Sequence, residues 1–426
     1  MNWADEVPGA LVECTIQENE SGHPGTGGAL AYGMGRSYGD SCLAASDKVI
    51  AMRGMDRVLA ADWTTGIITA QAGLTLDALI RFALPRGWFL PVTPGTRFVT
   101  LGGAVANDVH GKNHHVKGTF GVHVRRLVLY RSDEGMLACS PDERADLFAA
   151  TVGGLGLTGI VVSVEMQLRR VTSNQIEQRS IRFGSLDEFL DLSRQHDPHH
   201  EYSVAWIDCL ATGKHAGRGR YMAGNHASDG PLTPARASRL TMPFDPPVSM
   251  VNALTLRAFN TLYYHRQQVR EVQGQVGYVP FFYPLDGILH WNRMYGKNGF
   301  QQYQCVVPRQ HAREVIGDVM AIIARSGTGS FLAVLKQCGD MVSPGLLSFP
   351  MPGVTLALDF PQREPDNSRL FGKLDALVHE AGGRLYPAKD AHMSAAHFQL
   401  AYPAWRQVEA LRDPQLLSRF WKRVTQ

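Results

Sequence analysis

The chain lacks any apolar run of about 18 residues, so no membrane-spanning helix is predicted. Its first eight residues, MNWADEVP, are acidic and lack the basic start and apolar core of a secretory signal. Together these absences predict a cytoplasmic protein without a transmembrane segment. Such a protein can still work peripherally at a membrane face.

Closely spaced cysteine pairs and basic runs are also missing. The six cysteines are far apart, without a C-x-x-C pair, which argues against a disulfide framework and a zinc site and predicts free thiols. The net charge is only +3 and the basic residues are scattered, so no nucleic-acid partner is predicted. His110, His114 and His115 are neighbours, but no acidic or cysteine ligand stands at a supporting spacing, so no metal site is predicted.

Glycine is abundant, with 43 residues, and it clusters in two stretches. One reads GMGRSYGD from Gly33; the other runs from PGTR at Pro94 through LGGA to HGKN ending at Asn113. Glycine permits positive φ and lets bare N–H groups approach an anionic pyrophosphate. These stretches therefore predict two cradles for one dinucleotide and a flavoenzyme. Ordinary turns are the alternative.

A third glycine stretch, GLGLTG at 154–159, matches the G-x-G-x-x-G pattern of nicotinamide-dinucleotide domains. That pattern should open a helix, whereas here the β-branched run IVVSVEM follows and predicts a strand. A nicotinamide-type Rossmann fold is therefore not predicted.

Periodicity divides the chain near residue 173. The first part predicts mixed elements, with strands at 48–53, 58–61, 67–72, 124–130, 136–139 and 160–168 and a helix from Leu76 to Leu84 capped by Thr75. Residues 213–247, rich in Gly, Ser and Pro, predict a mobile loop or lid. From Tyr303 the order βαββαβ predicts an antiparallel sheet with helices on one face.

Segments along nearly the whole chain carry a resemblance. They are GRSYGDS from Gly35, PGTR from Pro94, HGKNHH from His110, ATVGG from Ala150, AW at 205–206, QYQ at 302–304, LSFP from Leu347, RLY from Arg384 and AKD from Ala388. With them the chain resembles the decaprenylphosphoryl-β-D-ribose 2′-oxidase family of the vanillyl-alcohol-oxidase-type FAD-binding superfamily. The resemblance implies an α+β fold: a two-subdomain FAD-binding domain at 1–173 and 384–426, and an antiparallel-sheet substrate domain at 174–383.

The resemblance also implies the cofactor contacts, with residues 31–41 around the pyrophosphate. The implied FAD-binding residues are Gly33, Gly35, Arg36, Ser37, Tyr38, Gly39, Asp40, Ser41, Gly95, Thr100, Leu101, Gly102, Gly103, Asn107, Asp108, His110, Ile160 and Tyr386. Many relatives in the superfamily attach the flavin covalently to a histidine where Arg36 stands here. Non-covalent FAD is therefore expected.

Oxidising a secondary alcohol with a flavin requires a group that accepts the hydroxyl proton. Lys389 is the first candidate, because partial desolvation lowers a lysine pKa towards neutrality; Tyr386 and His110 are the next. A solvated lysine paired with Asp390 is the alternative. The implied substrate-binding residues are Lys112, Trp206, Gln302, Gln304, Lys336 and Thr355. The alternative interpretation is that these side chains lie on a solvated face of the sheet or, for Trp206, that the ring packs in the core.

The resemblance implies oxidation of the 2′-hydroxyl of a polyprenylphosphoryl-β-D-ribose to the 2′-keto sugar. An NAD(P)H-dependent reductase would then complete epimerisation to the arabinose form used in cell-wall synthesis. Two alternatives stay open: an aldonolactone or alditol oxidase, and a non-catalytic FAD-binding partner of a reductase. Two positions depart from the mycobacterial members, with Ala357 in place of a cysteine and Thr355 in place of an asparagine.

Overall fold

A computed structural model describes residues 11–12, 28–46, 48–236, 238 and 240–426. The acidic start at 1–8 and Cys14 lie outside the described residues. Within them, no helix has the length and apolarity needed to cross a bilayer. The five cysteines of this part of the chain are all unpaired, as expected.

The glycine-rich part of the chain forms three small sheets. A parallel sheet of order β1-β3-β2 contains β1 (Leu11–Val12), β2 (Leu30–Tyr32) and β3 (Val49–Ala51). An antiparallel sheet of order β4-β5-β9-β7-β8 contains β4 (Val58–Asp62), β5 (Ile67–Gln71), β7 (Val124–Arg131), β8 (Gly135–Cys139) and β9 (Ile160–Gln167). The third pairs β6 (Trp88–Phe89) with β10 (Arg169–Arg170).

The rest of the chain builds one antiparallel sheet of order β14-β11-β13-β12-β16-β17-β15-β18. Its strands are β11 (Gln175–Phe183), β12 (Tyr202–Ile207), β13 (Gly219–His226), β14 (Glu271–Gly277), β15 (Phe300–Pro308), β16 (Val334–Cys338), β17 (Gly353–Pro361) and β18 (Arg384–Leu385). The predicted α+β class and antiparallel sheet are confirmed. The predicted domain boundary at residue 384 stays a prediction, since β18 itself pairs with β15.

Helices connect these strands. In chain order they are α1 (Leu76–Ala83), α2 (Leu101–Ala106), α3 (His114–Lys117), α4 (Ala145–Thr151), α5 (Leu186–His196), α6 (Ala253–His265), α7 (Tyr278–Phe282), α8 (Ala312–Ser326), α9 (Asp366–Glu380), α10 (Ala395–Ala401), α11 (Trp405–Ala410) and α12 (Arg419–Thr425). Thr75 caps α1 as predicted, because its side chain accepts a hydrogen bond from the Ala78 N–H at 3.2 Å.

Strand alternation gives the large sheet two different faces. Tyr303, Cys305, Leu356 and Leu358 pack in an apolar core with residues of α5, α8 and α9. The intervening residues of the same strands point to the opposite face, because successive side chains of a strand alternate. That second face faces the glycine-rich segments and carries the candidate site.

One sequence-based prediction of structure is wrong. Residues 213–247 do not form one loop, because β13 lies inside that range between β11 and β12. Its glycines serve close strand packing: a Cβ on Gly219 would lie 2.3 Å from the Trp206 carbonyl oxygen, and one on Gly224 would lie 2.7 Å from that of Glu177. The two glycines of β13 therefore indicate close packing between strands.

The first glycine stretch is joined to a segment near the C-terminus. The Tyr38 and Asp40 N–H groups donate to the carbonyl oxygens of Ala388 and Asp390 at 3.2 and 3.3 Å. Arg423 holds both carboxylates, with N–O distances of 2.8 Å to Asp40 and 2.9 Å to Asp390. Residues about 350 positions apart are thus fixed side by side.

Gly39 is the position at which this junction is tightest, because an added Cβ would lie 1.6 Å from the Asp390 carbonyl oxygen. We expect Gly39→Ala to destabilise the fold by about 1–3 kcal/mol, since neither backbone can move without breaking the pairing. Thermal unfolding measures the change. Gly54→Ala is the control, because a Cβ there meets nothing within 4 Å. Equal melting of the Gly39 variant and wild type would contradict the tight junction.

Candidate functional site

A cavity of about 420 Å³ lies between the glycine-rich segments and the polar face of the large sheet. Twenty of the predicted site residues line it: Gly33, Gly35, Arg36, Ser37, Tyr38, Ser41, Gly95, Thr100, Gly102, Gly103, Asn107, His110, Lys112, Trp206, Gln302, Gln304, Lys336, Thr355, Tyr386 and Lys389. The fold therefore brings predicted cofactor, catalytic and substrate residues to one cavity.

The two glycine stretches meet on one wall of this cavity. Thr100 contacts both, since its Oγ1 accepts a hydrogen bond from the Gly103 N–H at 3.2 Å and would lie 2.4 Å from a Cβ on Gly33. A Cβ on Gly95 would meet nothing within 4 Å, so this glycine leaves open space in the cavity wall. The wall combines close backbone contact with bare peptide groups, as an extended dinucleotide requires.

Several buried polar atoms at the cavity wall have no protein partner. Within the described residues, no hydrogen bond reaches Ser41 Oγ, His110 Nδ1 or Thr355 Oγ1. Buried polar atoms are almost always satisfied in folded proteins, so such orphans at one cavity indicate a polar ligand. The glycine wall and the orphaned Ser41 hydroxyl fit FAD, with its anionic pyrophosphate. The other two unpartnered atoms, His110 Nδ1 and Thr355 Oγ1, belong to cavity residues near the strands of the large sheet.

Lys389 lies half-buried at the junction of the two walls. Its Nζ donates to the Arg36 carbonyl oxygen at 3.0 Å and lies 3.8 Å from the centre of the Tyr38 ring. Burial lowers the pKa of Lys389 to about 8, with the charge of Asp359 opposing the change. A lysine with this pKa is partly neutral near physiological pH and can accept a proton.

Asp359 is a cavity residue that the sequence analysis missed. It is 2% exposed, and its Oδ1 accepts a hydrogen bond from the Gln302 amide at 2.6 Å. Burial raises the pKa of Asp359 to about 6. The available signal was strand alternation, because Thr355, Ala357 and Asp359 share one face of β17 and an aspartate stands out in the run VTLALDF.

Lys336 and Lys112 form the cationic part of the sheet side. Lys336 Nζ donates to the Gly111 carbonyl oxygen at 2.7 Å, and Lys112 Nζ donates to that of Phe281. Burial lowers the pKa of Lys336, and burial together with Lys336 lowers the pKa of Lys112 to about 7. Two buried ammonium groups within one cavity would be compensated by an anionic ligand.

His110 and Tyr386 are neighbours in the cavity wall, with ring centres 5.5 Å apart. Burial, with Lys336 adding to it, holds the pKa of His110 well below its usual value, so the imidazole is neutral. Its Nε2 lies 3.2 Å from the Gln304 amide nitrogen; if that amide donates, the orphaned Nδ1 carries the proton. The Tyr386 hydroxyl donates to the Asn107 carbonyl oxygen at 3.0 Å, and burial raises its pKa, so it remains a phenol.

Trp206 of β12 and Thr355 of β17 also line the cavity from the large sheet. The Trp206 indole N–H donates to the Phe331 carbonyl oxygen at 3.0 Å, while its ring packs edge-on against Tyr263 of α6 at 4.7 Å. Trp206 is thus both core and cavity wall. Thr355 is paired in register with Lys336, so the two residues are neighbours on the cavity face of the sheet, and the Thr355 hydroxyl has no protein partner.

Five predicted cofactor residues do not line the cavity: Gly39, Asp40, Leu101, Asp108 and Ile160. Gly39 and Asp40 form the junction with Asp390, and Leu101 and Ile160 are in the apolar core. Asp108 is buried, accepts a hydrogen bond from the Gly121 N–H at 2.7 Å and holds Ser343 and Ser348. Contact of these five residues with the cofactor stays a prediction.

Several cavity segments carried no predicted role, the third glycine stretch and α6 among them. Leu155, Gly156 and Gly159 line the cavity, although their G-x-G-x-x-G match is followed by β9, a strand, as predicted. Tyr263 lines it from α6, a helix that periodicity did not indicate. Among the described residues no group of three or more His, Cys, Asp or Glu is arranged to hold a metal ion.

Comparison with known proteins covers both parts of the chain. Residues 28–140 match a family described as an FAD binding domain. A decaprenylphosphoryl-beta-D-ribose oxidase from Mycolicibacterium smegmatis is 37% identical over 423 residues, 96% of this chain and 90% of that protein. An uncharacterized protein from Streptomyces coelicolor is 34% identical over 80% of this chain and 96% of its own. The L-gulonolactone oxidase of Mus musculus is 31% identical over only 32% of this chain and 30% of its own.

The buried ammonium of Lys389 predicts a pH-dependent stability. Its folded pKa of about 8 lies below the ordinary 10.5, so the unfolded chain binds more protons between these values and the native state gains stability as pH rises. Lys389→Met lacks this gain. Its stability relative to wild type should fall by about 1.4 kcal/mol per pH unit at most within that window.

Urea unfolding at neutral pH and at stepwise higher pH, up to 10.5, measures this difference. Lys422→Met, at an exposed lysine of α12, is the matched control and should track wild type at every pH. A constant offset between wild type and Lys389→Met across the window would show that Lys389 titrates like an exposed lysine.

Proposed function

Because the chain belongs to the decaprenylphosphoryl-β-D-ribose oxidase family, we propose that it oxidises the 2′-hydroxyl of a polyprenylphosphoryl-β-D-ribose to the 2′-keto sugar. The chain is an FAD-dependent oxidoreductase. The observation that carries the substrate assignment is the single cavity that joins the glycine wall to the cationic sheet face. A neutral lactone would leave the ammonium groups of Lys112 and Lys336 without an anion.

The cavity residues divide the work of the reaction. FAD, when bound, supplies the acceptor for a hydride from the carbinol carbon. Lys389, partly neutral, accepts the hydroxyl proton, and Asp359 nearby favours the ammonium that results. Lys336 and Lys112 hold the phosphoryl group, and Gln302, Gln304 and Thr355 orient the sugar. The alcohol thus loses one hydride and one proton, which yields the ketone.

We propose that FAD is held without a covalent bond. Arg36 occupies the attachment position and cannot form the bond that a histidine forms. Cys42 also lines the cavity, but burial raises its thiol pKa to about 11, so it stays protonated and weakly nucleophilic.

Acid precipitation of the purified protein tests the mode of attachment. The yellow flavin should pass completely into the supernatant, where chromatography identifies it as FAD. Flavin that stays with the pellet and with a peptide after proteolysis would establish a covalent link and locate its residue.

We further propose that an NAD(P)H-dependent reductase consumes the product. Reduction of the 2′-ketone from the opposite face gives the arabinose form, and the partner supplies the hydride for this second step. The polyprenyl chain of the substrate places the reaction at a membrane face. A non-catalytic FAD-binding protein would also bind the reductase, but it would not need a lysine whose pKa is lowered as that of Lys389 is.

The visible flavin spectrum under anaerobic conditions tests the reaction. A short-chain polyprenylphosphoryl ribose should bleach the flavin of wild type, at a rate that rises with pH and levels off above about 8. Lys389→Met should keep its flavin and bleach about 10²–10⁴-fold more slowly, because it lacks the proton acceptor. Lys373→Met, at an exposed lysine of α9, should match wild type.

Three results would overturn parts of this proposal. Bleaching by a free aldonolactone but not by the phosphoryl ribose would favour the lactone-oxidase alternative. No bleaching by either, with retained binding of a reductase, would favour the non-catalytic role. A wild-type rate in Lys389→Met would remove the proton transfer from this residue.

A further inference from the structure

Helix α6 exposes an apolar stripe. Leu254 and Leu262 are 78% and 72% exposed, and Ala258 between them is exposed as well. These residues are four positions apart and therefore share one face of the helix. Leu256 and Asn260 on the opposite face are fully buried. The helix is thus fixed to the protein by one side and presents leucines to the outside on the other.

The segment before α6 extends the same apolar surface. Val248 and Met250 are 74% and 48% exposed, and they precede the helix by a few residues. The Met250 N–H donates to the Met294 carbonyl oxygen at 2.9 Å, which ties this segment to the body of the protein. Single exposed apolar residues are ordinary, but a contiguous group of them marks an interaction site. We call Val248, Met250, Leu254, Ala258 and Leu262 the α6 surface.

The charge of this region has one sign. Residues 248–270 contain three arginines and no aspartate or glutamate. Arg257 and Arg266 are exposed and lie on the flanks of the leucine stripe. An apolar stripe with arginines at its borders is the pattern of helices that lie in the interface of an anionic membrane.

The α6 surface is connected to the cavity by aromatic rings. Phe259, 40% exposed, stacks on Tyr263 with ring centres 5.7 Å apart, and Tyr263 packs against Trp206 at 4.7 Å. Tyr263 and Trp206 both line the cavity. One helix therefore carries the exposed apolar stripe on its outer side and a wall of the candidate active site on its inner side.

We propose that the α6 surface binds the surface of an anionic phospholipid bilayer. The leucines enter the boundary between headgroups and acyl chains, and the arginines contact lipid phosphates. The lipid tail of the substrate then stays in or near the bilayer and passes along Phe259 and Tyr263, while the phosphoryl sugar enters the cavity. This last step rests on the proposed function; binding of the bilayer itself does not.

Flotation of the FAD-loaded protein with vesicles of phosphatidylcholine and phosphatidylglycerol tests the proposal. Wild type should float with these vesicles and less with phosphatidylcholine alone. Leu254→Ser with Leu262→Ser should weaken binding about tenfold per leucine, because each loses the burial of a large apolar side chain. Arg257→Gln with Arg266→Gln should remove the preference for the anionic lipid.

Leu400→Ser is the matched control, because this leucine of α10 is 73% exposed and lies outside the α6 surface. It should bind vesicles like wild type. Equal binding by the leucine double variant would overturn the proposal, and so would failure of wild type to float, which would leave a protein partner as the occupant. Thermal unfolding checks that each variant is folded.

Activity separates this proposal from the proposed function. The leucine double variant should bleach with the short-chain substrate at the wild-type rate and turn over long-chain substrate in vesicles at least about tenfold more slowly. If wild type floats but no phosphoryl ribose bleaches its flavin, the membrane surface stands and the substrate assignment fails. Equal turnover of long-chain substrate by both proteins would refute delivery through α6.

Discussion

Backbone pairing between residues 38–40 and 388–390 is the constraint on which the site depends. It brings the first glycine stretch and the end of the large sheet together, and it leaves no room for a side chain at Gly39. Because Lys389 lies inside this pairing, its ammonium is fixed between the Arg36 carbonyl and the Tyr38 ring. The lysine that we propose as the proton acceptor is thus positioned by paired backbone and needs no flexible loop.

The second determinant of the site is the alternation of side chains between the two faces of the sheet in β15, β16 and β17. In each strand the apolar side chains pack against the helices and the polar side chains line the cavity. The pairing register of the three strands therefore determines the positions of the cavity residues Gln302, Gln304, Lys336, Thr355 and Asp359. Ala357 lies in the same row and adds only a methyl group. The space that a larger side chain would fill remains part of the cavity, directly beside the lysine and glutamine positions.

Patterns with a local cause were predictable from the sequence. Capping by Thr75, the strand after the third glycine stretch and the βαββαβ order all follow from neighbouring residues. The error at β13 has a non-local cause, because Gly219 and Gly224 are required by strands distant in sequence. Asp359 was missed for the same reason: its importance depends on Gln302 and Lys389, which only the folded sheet places near it. Helix α6 was missed because two of its three leucines are exposed, so the helix lacks a clear apolar face towards the core.

Electrostatics is the reason for proposing a charged substrate. Three lysines line the cavity and burial lowers the pKa of each, whereas burial raises the pKa of Asp359 to about 6. The cavity thus disfavours its own charges until an anion enters. In the proposed function, a phosphoryl group compensates Lys336 and Lys112 and raises their proton affinity. In the same proposal, Lys389, which contacts the Arg36 carbonyl and the Tyr38 ring, is kept for the proton of the alcohol.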